Sequence, residues 1–444
     1  ANLRDGKNKA VPWLSPTADE SDPLEHEYRK QLAGEVRRNR PDARGFDRME
    51  WICIGPNHFW DCYDSETEVL TRAGWKLFKD FDTASDLAAT VNLASDAIEF
   101  QKASRKISRR HNGPMISLGG SRFSALVTPN HRMVVYEKGN AAPQIKPAAA
   151  LTIWDAIKAK AANWIGSDAP LELPAVRKNK AVKFDRLAAA RFMGWFVTEG
   201  HTTKFSFGGE AVRISQNPGR KQNILRADLE NCPWHFRLDA GRQFTLHNSQ
   251  VSAFVKEAAG RSWQKRVPQW VKDSSQAIIR EFLKTAVLGD GWIQANMFTI
   301  CTVSKQLADD YCELGFKAGF KVKIKTRQPP PCRLRGGNHK TRLQYWVQLC
   351  PAEKIHLRDS KNKRLIARVN YSGKVFCLTV PNGTLVVRRR GTVFVCGNCE
   401  NMQTAAALKG GALRIEGASG ISASANETDE DQEEMKLSAA LSEG

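Results

Sequence analysis

The chain has 444 residues and a formal net charge of +20, so it is expected to fold as several domains and to contact a phosphate backbone, although a merely basic surface also fits. Its ten cysteines lack the regular spacing of a disulfide framework, and no apolar run is long enough to span a bilayer. We therefore expect a cytoplasmic protein without a membrane partner. Residue 1 is Ala and no signal peptide follows, so we expect a fragment of a longer protein.

The first 61 residues are polar and rich in Arg and Pro, and their pattern predicts a helix over residues 23–38. From residue 62 the pattern is typical of short strands with Gly-rich breaks between them. Similar strands return near the end of the chain. The predicted strands are residues 68–71, 115–118, 125–128, 133–136, 374–380, 384–388 and 392–395. One β-domain split by an insertion fits this order better than two separate β-domains.

Two thiols and one Asn mark the ends of this split domain. Asn398 directly precedes Cys399, and its side-chain amide nitrogen can close onto its own backbone carbonyl, which cuts the chain and leaves a succinimide. The thiols of Cys62 and Cys399 can each carry an acyl group, because thioesters exchange readily. These are the groups needed to excise residues 62–398 and to join the flanks.

Four segments resemble, in order, the sequence blocks of inteins, the self-splicing protein elements: residues 62–74, 127–131 (VTPNH), 375–382 (VFCLTVPN) and 393–398 (VFVCGN). The resemblance implies a Hint-type all-β splicing domain that needs no cofactor. It also implies that Cys62 attacks the carbonyl of Asp61, while Thr128 and His131 polarise that peptide bond. The acyl group then passes to Cys399 before Asn398 cyclises.

Two positions depart from the common intein pattern. Gly397 stands where a His usually precedes the terminal Asn, and Cys377 stands where an Asp is frequent. No His follows His356, so assistance to Asn398 must come from elsewhere in the chain. Cys377 is either buried packing, the usual fate of a strand Cys, or a group that couples the two junctions. Phage-borne inteins resemble this chain at both positions.

Within the insertion, residues 192–200 (FMGWFVTEG) and 283–291 (LKTAVLGDG) each form an apolar pattern that ends in a carboxylate and a Gly. Either one alone is an ordinary buried helix with a Gly cap. Together they resemble LAGLIDADG homing endonucleases. The resemblance implies a monomeric αββαββ domain with pseudo-twofold symmetry, in which Glu199 and Asp290 hold Mg²⁺ ions at the scissile phosphates of double-stranded DNA. Thr285, where Gly is usual, is expected to loosen the helix pair.

Basic residues of the insertion are candidates for contact with DNA. Lys265 stands where LAGLIDADG inteins carry a catalytic Lys, although a solvated phosphate contact fits equally well. Residues 307–316 are predicted to form a helix of the second repeat. The alternating basic strands that we expect to face DNA contain Lys204, Arg213, Lys321, Lys323 and Lys325.

Joining the flanks places residues 56–61 (PNHFWD) directly before residues 399–406 (CENMQTAA). This junction resembles the end of the nuclease domain of phage terminase large subunits of the lambda-like class, although other nucleic-acid enzymes could own it. The resemblance implies that Asp61 is a metal-binding carboxylate of a phage-encoded DNA-packaging nuclease in a bacterial host cell. Its partners would be the rest of the terminase and the packaging machinery. Residues 417–444 end in an acidic run and are predicted to be disordered.

The predicted fold is therefore mixed: a split all-β Hint domain with an inserted α+β endonuclease domain, between two host fragments. The predicted segments are a host flank at 1–61, splicing parts at 62–160 and 361–398, an endonuclease at 161–360, and a second host flank at 399–444. One alternative is a splicing element whose LAGLIDADG part is inactive or only binds DNA. Another is a redox protein built on Cys396 and Cys399, although no thioredoxin-like βαβ unit surrounds them.

Overall fold

The computed structural model describes residues 61–120, 123–206, 209–334, 337–358 and 365–398, and two strands of the first flank. These strands, β1 (Glu35–Pro41) and β2 (Asp47–Cys53), pair antiparallel. The helix prediction is wrong for residues 35–38, because pairing with the next strand in a hairpin outweighs the helical pattern. Residues 23–34 of that prediction, Cys399 and the acidic tail lie outside the described residues.

The strands of the first β-part follow from residue 68. They are β3 (Glu68–Thr71), β4 (Gly74–Leu77), β5 (Leu87–Asn92), β6 (Ala97–Lys102), β7 (Arg105–Gly120), β8 (Phe123–Val127), β9 (Arg132–Tyr136), β10 (Gln144–Pro147) and β11 (Ala156–Lys158). Strand β3 has the predicted bounds, whereas β7 is four times longer than the segment predicted inside it. The added length of β7 is mostly polar and charged, so hydrophobic alternation does not reveal it.

The central region begins with the short pair β12 (Leu171–Leu173) and β13 (Val182–Phe184). Its first repeat is α1 (Arg186–Glu199), β14 (Gly200–Lys204), β15 (Glu210–Ser215), α2 (Arg220–Glu230), β16 (Arg237–Asp239) and β17 (Gln243–Leu246). Two short helices, α3 (Ser249–Val255) and α4 (Gln269–Lys272), lead to the second repeat. That repeat is α5 (Gln276–Asp290), β18 (Gly291–Gln294), β19 (Met297–Thr302), α6 (Lys305–Lys317), β20 (Lys321–Arg327), the pair β21 (Cys332–Leu334) and β22 (Gly337–His339), and β23 (Gln344–Cys350).

The two repeats have the same topology. The strand order is β14-β15-β17-β16 in the first repeat and β18-β19-β23-β20 in the second. If the strands of these two sheets are numbered within each repeat, leaving out the separate pair β21 and β22, both orders read 1-2-4-3. Each repeat thus contains two αββ units, where the sequence suggested one per motif. Helices α1 and α5 pack against each other between the repeats.

The last strands are β24 (Lys354–His356), β25 (Ile366–Thr379), β26 (Thr384–Arg389) and β27 (Thr392–Gly397). All 14 residues of β25 pair with β7, and β24 pairs with β11. These ladders connect the first and second β-parts across the central region. A shared apolar core lies behind them and includes Tyr63, Val127, Phe376 and Phe394. Strand β27 pairs with β26 and, at Cys396, with β9.

One sheet runs continuously from the second repeat into the splicing part. Strand β20 contacts β27 through the Lys323–Thr392 pair, and Ile324 donates its N–H to the carbonyl of Gly391 at 2.7 Å. The sheet then continues through β26, β3, β5 and β6. No helix among the described residues has the length and apolar character needed to cross a bilayer.

Candidate splicing and nuclease centres

Cys62 is fully buried where the first residues of the described chain lie between β8 and β25. Its backbone N–H donates to Oγ1 of Thr128 at 2.8 Å, and the N–H of Thr128 donates to the carbonyl of Cys62 at 3.0 Å. The nitrogen of the Asp61–Cys62 peptide bond therefore faces Thr128. This is the contact that the sequence predicted for Thr128.

His131 is fully buried and joins three parts of the centre. Its Nδ1 forms an ion pair with the carboxylate of Asp61, and its Nε2 lies 2.9 Å from Sγ of Cys396. Burial lowers the pKa of His131, but the neighbouring Cys396 and Asp61 outweigh it and raise the pKa well above its usual value. These two neighbours therefore favour the protonated form of His131. Its two ring nitrogens face Asp61 and Cys396, whereas we expected one to face the amide nitrogen of Cys62.

Asn398 is fully buried and is held at several points. Its N–H donates to the carbonyl of Gly383 at 3.0 Å, and its Nδ2 donates to the carbonyl of Val380 at 3.1 Å. Arg132 donates from Nε to the backbone carbonyl of Asn398 at 2.9 Å and from Nη2 to Oδ1 at 3.1 Å. Nη2 also contacts the backbone carbonyl, so both oxygens of Asn398 share one nitrogen of Arg132.

Gly397 is closely packed against the chain at Arg132. A Cβ added to Gly397 would lie 2.5 Å from the carbonyl oxygen of Arg132 and 2.7 Å from its Cβ. The backbone at Arg132 thus leaves no space for a histidine before Asn398. The carbonyl of Gly397 accepts a hydrogen bond of 2.7 Å from the hydroxyl of Tyr63.

Cys377 is fully buried in β25, and its Sγ lies 3.5 Å from the carbonyl oxygen of Leu378. It also lies close to Tyr63, whose pKa is raised well above its usual value by burial and by the nearby Cys396, Cys377 and Asp61. Both interpretations of Cys377 fit this position, since it packs in the core and lies beside a residue that contacts Gly397.

The sequence missed Arg132 and Tyr63, although each directly follows a residue that it singled out. Their contacts depend on the turn between β8 and β9 and on the bridges of Tyr63 with Val127 and Phe376, which no local pattern encodes. Adjacency to His131 and to Cys62 was the available signal.

The second centre lies where α1 and α5 end. Asp185 caps α1 and Ser275 caps α5, each accepting a backbone N–H three residues later. Glu199 and Asp290 are the last residues of these two packed helices. The glycines that follow them have φ of −90° and −127°, so neither forms the left-handed Gly cap of an ordinary helix end.

Two Gly–Thr contacts set the approach of α1 and α5. A Cβ added to Gly194 would overlap Oγ1 of Thr285 and lie 2.8 Å from the carbonyl of Phe282. A Cβ added to Gly289 would overlap Thr198 and lie 2.5 Å from its Cβ. The expectation that Thr285 loosens the helix pair is therefore wrong, because Gly194 provides the space that Thr285 fills.

This complementarity predicts the outcome of exchanging the two residues. Gly194→Thr should lower the free energy of unfolding by about 1–3 kcal/mol because two hydroxyl-bearing side chains then meet. The double variant Gly194→Thr with Thr285→Gly should lose less free energy of unfolding than the sum of the losses of the two single variants, by at least about 1 kcal/mol. Urea unfolding of the four proteins measures this coupling. If the losses of the single variants simply add in the double variant, the Gly194–Thr285 contact does not determine how closely α1 and α5 pack.

Lys265 is 7% exposed and reaches the carboxy-terminal end of α1. Its Nζ donates to three backbone carbonyls: Phe196 at 3.2 Å, Thr198 at 3.3 Å and Gly200 at 2.7 Å. Burial lowers the pKa of Lys265 to about 8, although the carboxylates of Asp290 and Glu199 act in the opposite direction. Its burial does not fit a solvated phosphate contact.

The lowered pKa of Lys265 predicts a pH dependence of stability. The folded state binds the proton less tightly than the unfolded chain, so this group destabilises the fold below pH 8 and the penalty disappears towards pH 10.5. We expect the free energy of unfolding to rise over that window by about 3 kcal/mol relative to Lys265→Met. Urea unfolding without DNA or added metal, in a Cys62→Ala, Asn398→Ala chain, measures the difference. A pH-independent difference would contradict it.

The two carboxylates at the helix ends both have raised pKa values. Partial burial raises the pKa of Glu199, and the neighbouring charge of Asp290 adds to it, while Lys221 and Lys265 oppose both. Partial desolvation likewise raises the pKa of Asp290, although its side chain is exposed to solvent. Shared electrostatic effects of this kind are typical of carboxylates placed to bind a cation.

The predicted basic residues lie on strands of both repeats. Lys204 ends β14, and Arg213 lies on β15 with its guanidinium 5.9 Å from the ring centre of Phe205. Along β20, Val322 and Ile324 are buried, and the lysines alternate with them on the other face. Those lysines are Lys321, Lys323 and Lys325.

No protein-family model matches the chain. The chain is 22% identical over 374 residues to the ribonucleoside-diphosphate reductase subunit beta of Aquifex aeolicus (strain VF5), covering 76% of this chain and 50% of that protein. It is 23% identical over 302 residues to an ATP-dependent Clp protease proteolytic subunit of Chlamydomonas moewusii, covering 62% and 29%. A DNA-directed RNA polymerase subunit beta C-terminal section of Stigeoclonium helveticum is 22% identical over 76% of this chain and 36% of that protein. The chain spans half or less of each of these relatives.

An intein and a homing endonuclease are among the similar solved structures. The AceL NrdHF class 3 split intein is 12% identical, with a TM-score of 0.20, over 28% of this chain and 71% of that chain. The homing endonuclease I-DmoI in complex with DNA and Mn is 11% identical, with a TM-score of 0.27, over 37% of this chain and 89% of that chain.

Proposed function

We propose that this chain is a self-splicing element that excises residues 62–398 and joins Asp61 to Cys399. The observation that supports it most directly is the convergence of both junctions on one buried centre. Thr128 holds the peptide nitrogen of Cys62, and Arg132 holds the carbonyl of Asn398. The carboxylate of Asp61 contacts both Arg132 and His131. Asp61 and Asn398 are 337 positions apart in the chain (398 − 61). Acyl transfer between the junctions requires the fold to bring such distant residues together in this way.

The chemistry follows from these contacts. Cys62 supplies the thiol that attacks the carbonyl of Asp61, and Thr128 polarises the amide that breaks. The contacts of His131 with Asp61 and Cys396 favour its protonated form in the same centre. The acyl group passes to Cys399, Asn398 cyclises, and an S-to-N shift leaves an ordinary peptide bond. Each step uses groups of the chain itself, so no cofactor is required.

A mass spectrum of the expressed chain tests this function. We expect two products, the excised residues 62–398 with a carboxy-terminal succinimide and the ligated flanks. An unprocessed chain as the sole species, under reducing conditions and over prolonged incubation, would contradict the proposal.

We further propose that the central region is a site-specific DNA endonuclease of the homing type. Glu199, Asp290 and Lys265 lie together at the ends of the two packed helices, which supports cleavage over DNA binding alone. Among the described residues no three His, Cys, Asp or Glu side chains form a metal site by themselves. Two carboxylates still suit Mg²⁺, since this ion keeps waters and substrate phosphates among its ligands.

Glu199 and Asp290 would hold Mg²⁺, which when bound would stabilise the charge that develops on the phosphate. Lys265 donates its hydrogen bonds to the backbone at the ends of α1 and holds this helix end in place. Its lowered pKa also makes it a candidate to exchange a proton with water near neutral pH. The basic faces of β14, β15 and β20 would bind the duplex on either side of the centre.

The curated relatives are named as a reductase subunit, a protease subunit and a polymerase section. A shared host activity does not explain that set, whereas an element inserted in different host proteins does. For this chain the flanks support a phage DNA-packaging terminase as the host, located in the bacterial cytoplasm. The terminase remainder and the packaging machinery would then be its partners, and Asp61 would return to a metal-binding role after splicing.

A further inference from the structure

Arg132 contacts both junctions of the proposed splicing element. Its backbone N–H donates to Oδ1 of Asp61 at 3.3 Å, and its Nε lies 3.4 Å from Oδ2 of the same carboxylate. Its guanidinium also donates to the backbone carbonyl and to Oδ1 of Asn398. The guanidinium of Arg132 therefore contacts both Asp61, whose acyl group is transferred first, and Asn398, which cyclises last.

We propose that Arg132 activates cleavage after Asn398, in place of the histidine that Gly397 cannot provide, and that its contact with Asp61 restrains this cleavage until the acyl group has moved. The inference rests on the proposed splicing function and adds to it a further catalytic residue and an order of events.

The chemical step shows why the position of Arg132 matters. Nδ2 of Asn398 forms a bond to its own carbonyl carbon, and the bond from that carbon to the nitrogen of Cys399 breaks. One proton passes from Nδ2 to that nitrogen, which leaves a succinimide and a free amine. Negative charge gathers on the carbonyl oxygen during the attack, and this is the oxygen to which Arg132 donates. Donors placed in advance on such an oxygen are typically worth about 10²–10³ in rate.

The side-chain amide of Asn398 is held at both of its polar atoms. Its Oδ1 and its backbone carbonyl oxygen both contact Nη2 of Arg132. The carbonyl of Val380 holds Nδ2 on the other side. An arginine keeps its charge at all physiological pH values, so this activation does not depend on the titration of an imidazole.

Asp61 supplies the restraint. Its carboxylate faces the guanidinium of Arg132 and offsets part of the positive charge directed at Asn398. Transfer of the acyl group to Cys399 moves residue 61 with it. Arg132 then acts on Asn398 without this competing anion. Cyclisation before transfer would release the second flank unligated, so the order protects the yield of ligated product.

Two backgrounds separate the junctions in the purified full-length chain. In Cys62→Ala, release of residues 399–444 reports cleavage after Asn398 alone. In Asn398→Ala, thiol-induced release of residues 1–61 reports the first junction alone. We expect Arg132→Gln to slow release in the first background by about 10²–10³-fold. It should change release in the second background by only a few fold. Arg110→Gln, which removes an exposed charge on β7, is the matched control for both.

Two further variants test the charge and the restraint in the Cys62→Ala background. Arg132→His should restore part of the cleavage only where the imidazole is protonated, so its rate should fall as the pH rises through about 6.5. The parent rate should lack that dependence. Asp61→Asn should raise the rate of release several-fold because the competing charge is lost.

An unchanged release from Arg132→Gln in the Cys62→Ala background would overturn the catalytic role. Loss of both junction reactions would also overturn it, by assigning Arg132 to folding. A slower or unchanged release from Asp61→Asn would overturn the restraint. An unmodified chain that neither splices nor releases residues 1–61 with thiol would overturn the proposed function, and the inference with it.

Discussion

Asn398→Ala is expected to abolish ligation and the release of residues 399–444, while added thiol still releases residues 1–61. The variant lacks the nitrogen that closes on the carbonyl, so the second junction cannot break. The first junction keeps Cys62 and its contact with Thr128. Gel electrophoresis and mass spectrometry of the products, with and without thiol, measure both effects.

Asn370→Ala is the control for this experiment, since Asn370 is exposed on β25 far along the ladder from the junction. It should splice as the parent chain does. Ligated product from Asn398→Ala would show that another residue ends the element.

Glu199→Gln and Asp290→Asn are each expected to abolish Mg²⁺-dependent nicking of DNA that carries the uninterrupted host site. Each variant removes one of the two charges available to hold the cation but keeps the shape of the side chain. Splicing should continue, because neither residue contacts Cys62 or Asn398 in the described structure. Supercoiled-plasmid nicking and a splicing gel, run on the same preparations, measure the two activities.

Glu230→Gln, at the exposed end of α2, should retain both activities and serves as the control. Binding of the target duplex should persist in all three variants. A parent chain that binds this DNA without cutting it would favour the inactive or DNA-binding alternative. Loss of splicing in both carboxylate variants would show that the two centres are not separable.

The sequence predicted the parts of this molecule that local patterns encode. Strand β3, helix α6 and the two carboxylate-ending helices follow from apolar periodicity and turn residues within one segment. The junction residues were predicted from the cyclisation that an Asn side chain allows and from the acyl transfer that a Cys thiol favours, and they remain a prediction. The first four residues of β1 were predicted as helix, although they pair with β2 in a hairpin. Most of β7 was missed because its pairing with the distant strand β25 is not encoded in a local pattern.

In the candidate site, too, the contacts encoded in local motifs were predictable, whereas the contacts that depend on the fold were not. Thr128 faces the peptide nitrogen of Cys62 as the resemblance implied, and the spacing between motifs led to α1 and α5 as a pair. The double contact of Arg132 was not predictable, since it depends on how β9, β27 and the first junction meet. The two Gly–Thr contacts between α1 and α5 were not predictable either, because they depend on the register of the two helices, which no single motif contains.

The sheet shared by β20 and β27 limits how readily the proposed endonuclease region could be lost during evolution or removed by engineering. Deleting the second repeat would remove Ile324, the hydrogen-bond donor to Gly391, and would open an unpaired strand edge at the start of β27. It would also remove Asp309, which pairs at 2.6 Å with Arg388, a residue 2% exposed that otherwise relies on Glu68. A minimal version of this element would therefore need a new cover for that edge and a replacement for Arg388. Otherwise it would risk aggregating before it could splice.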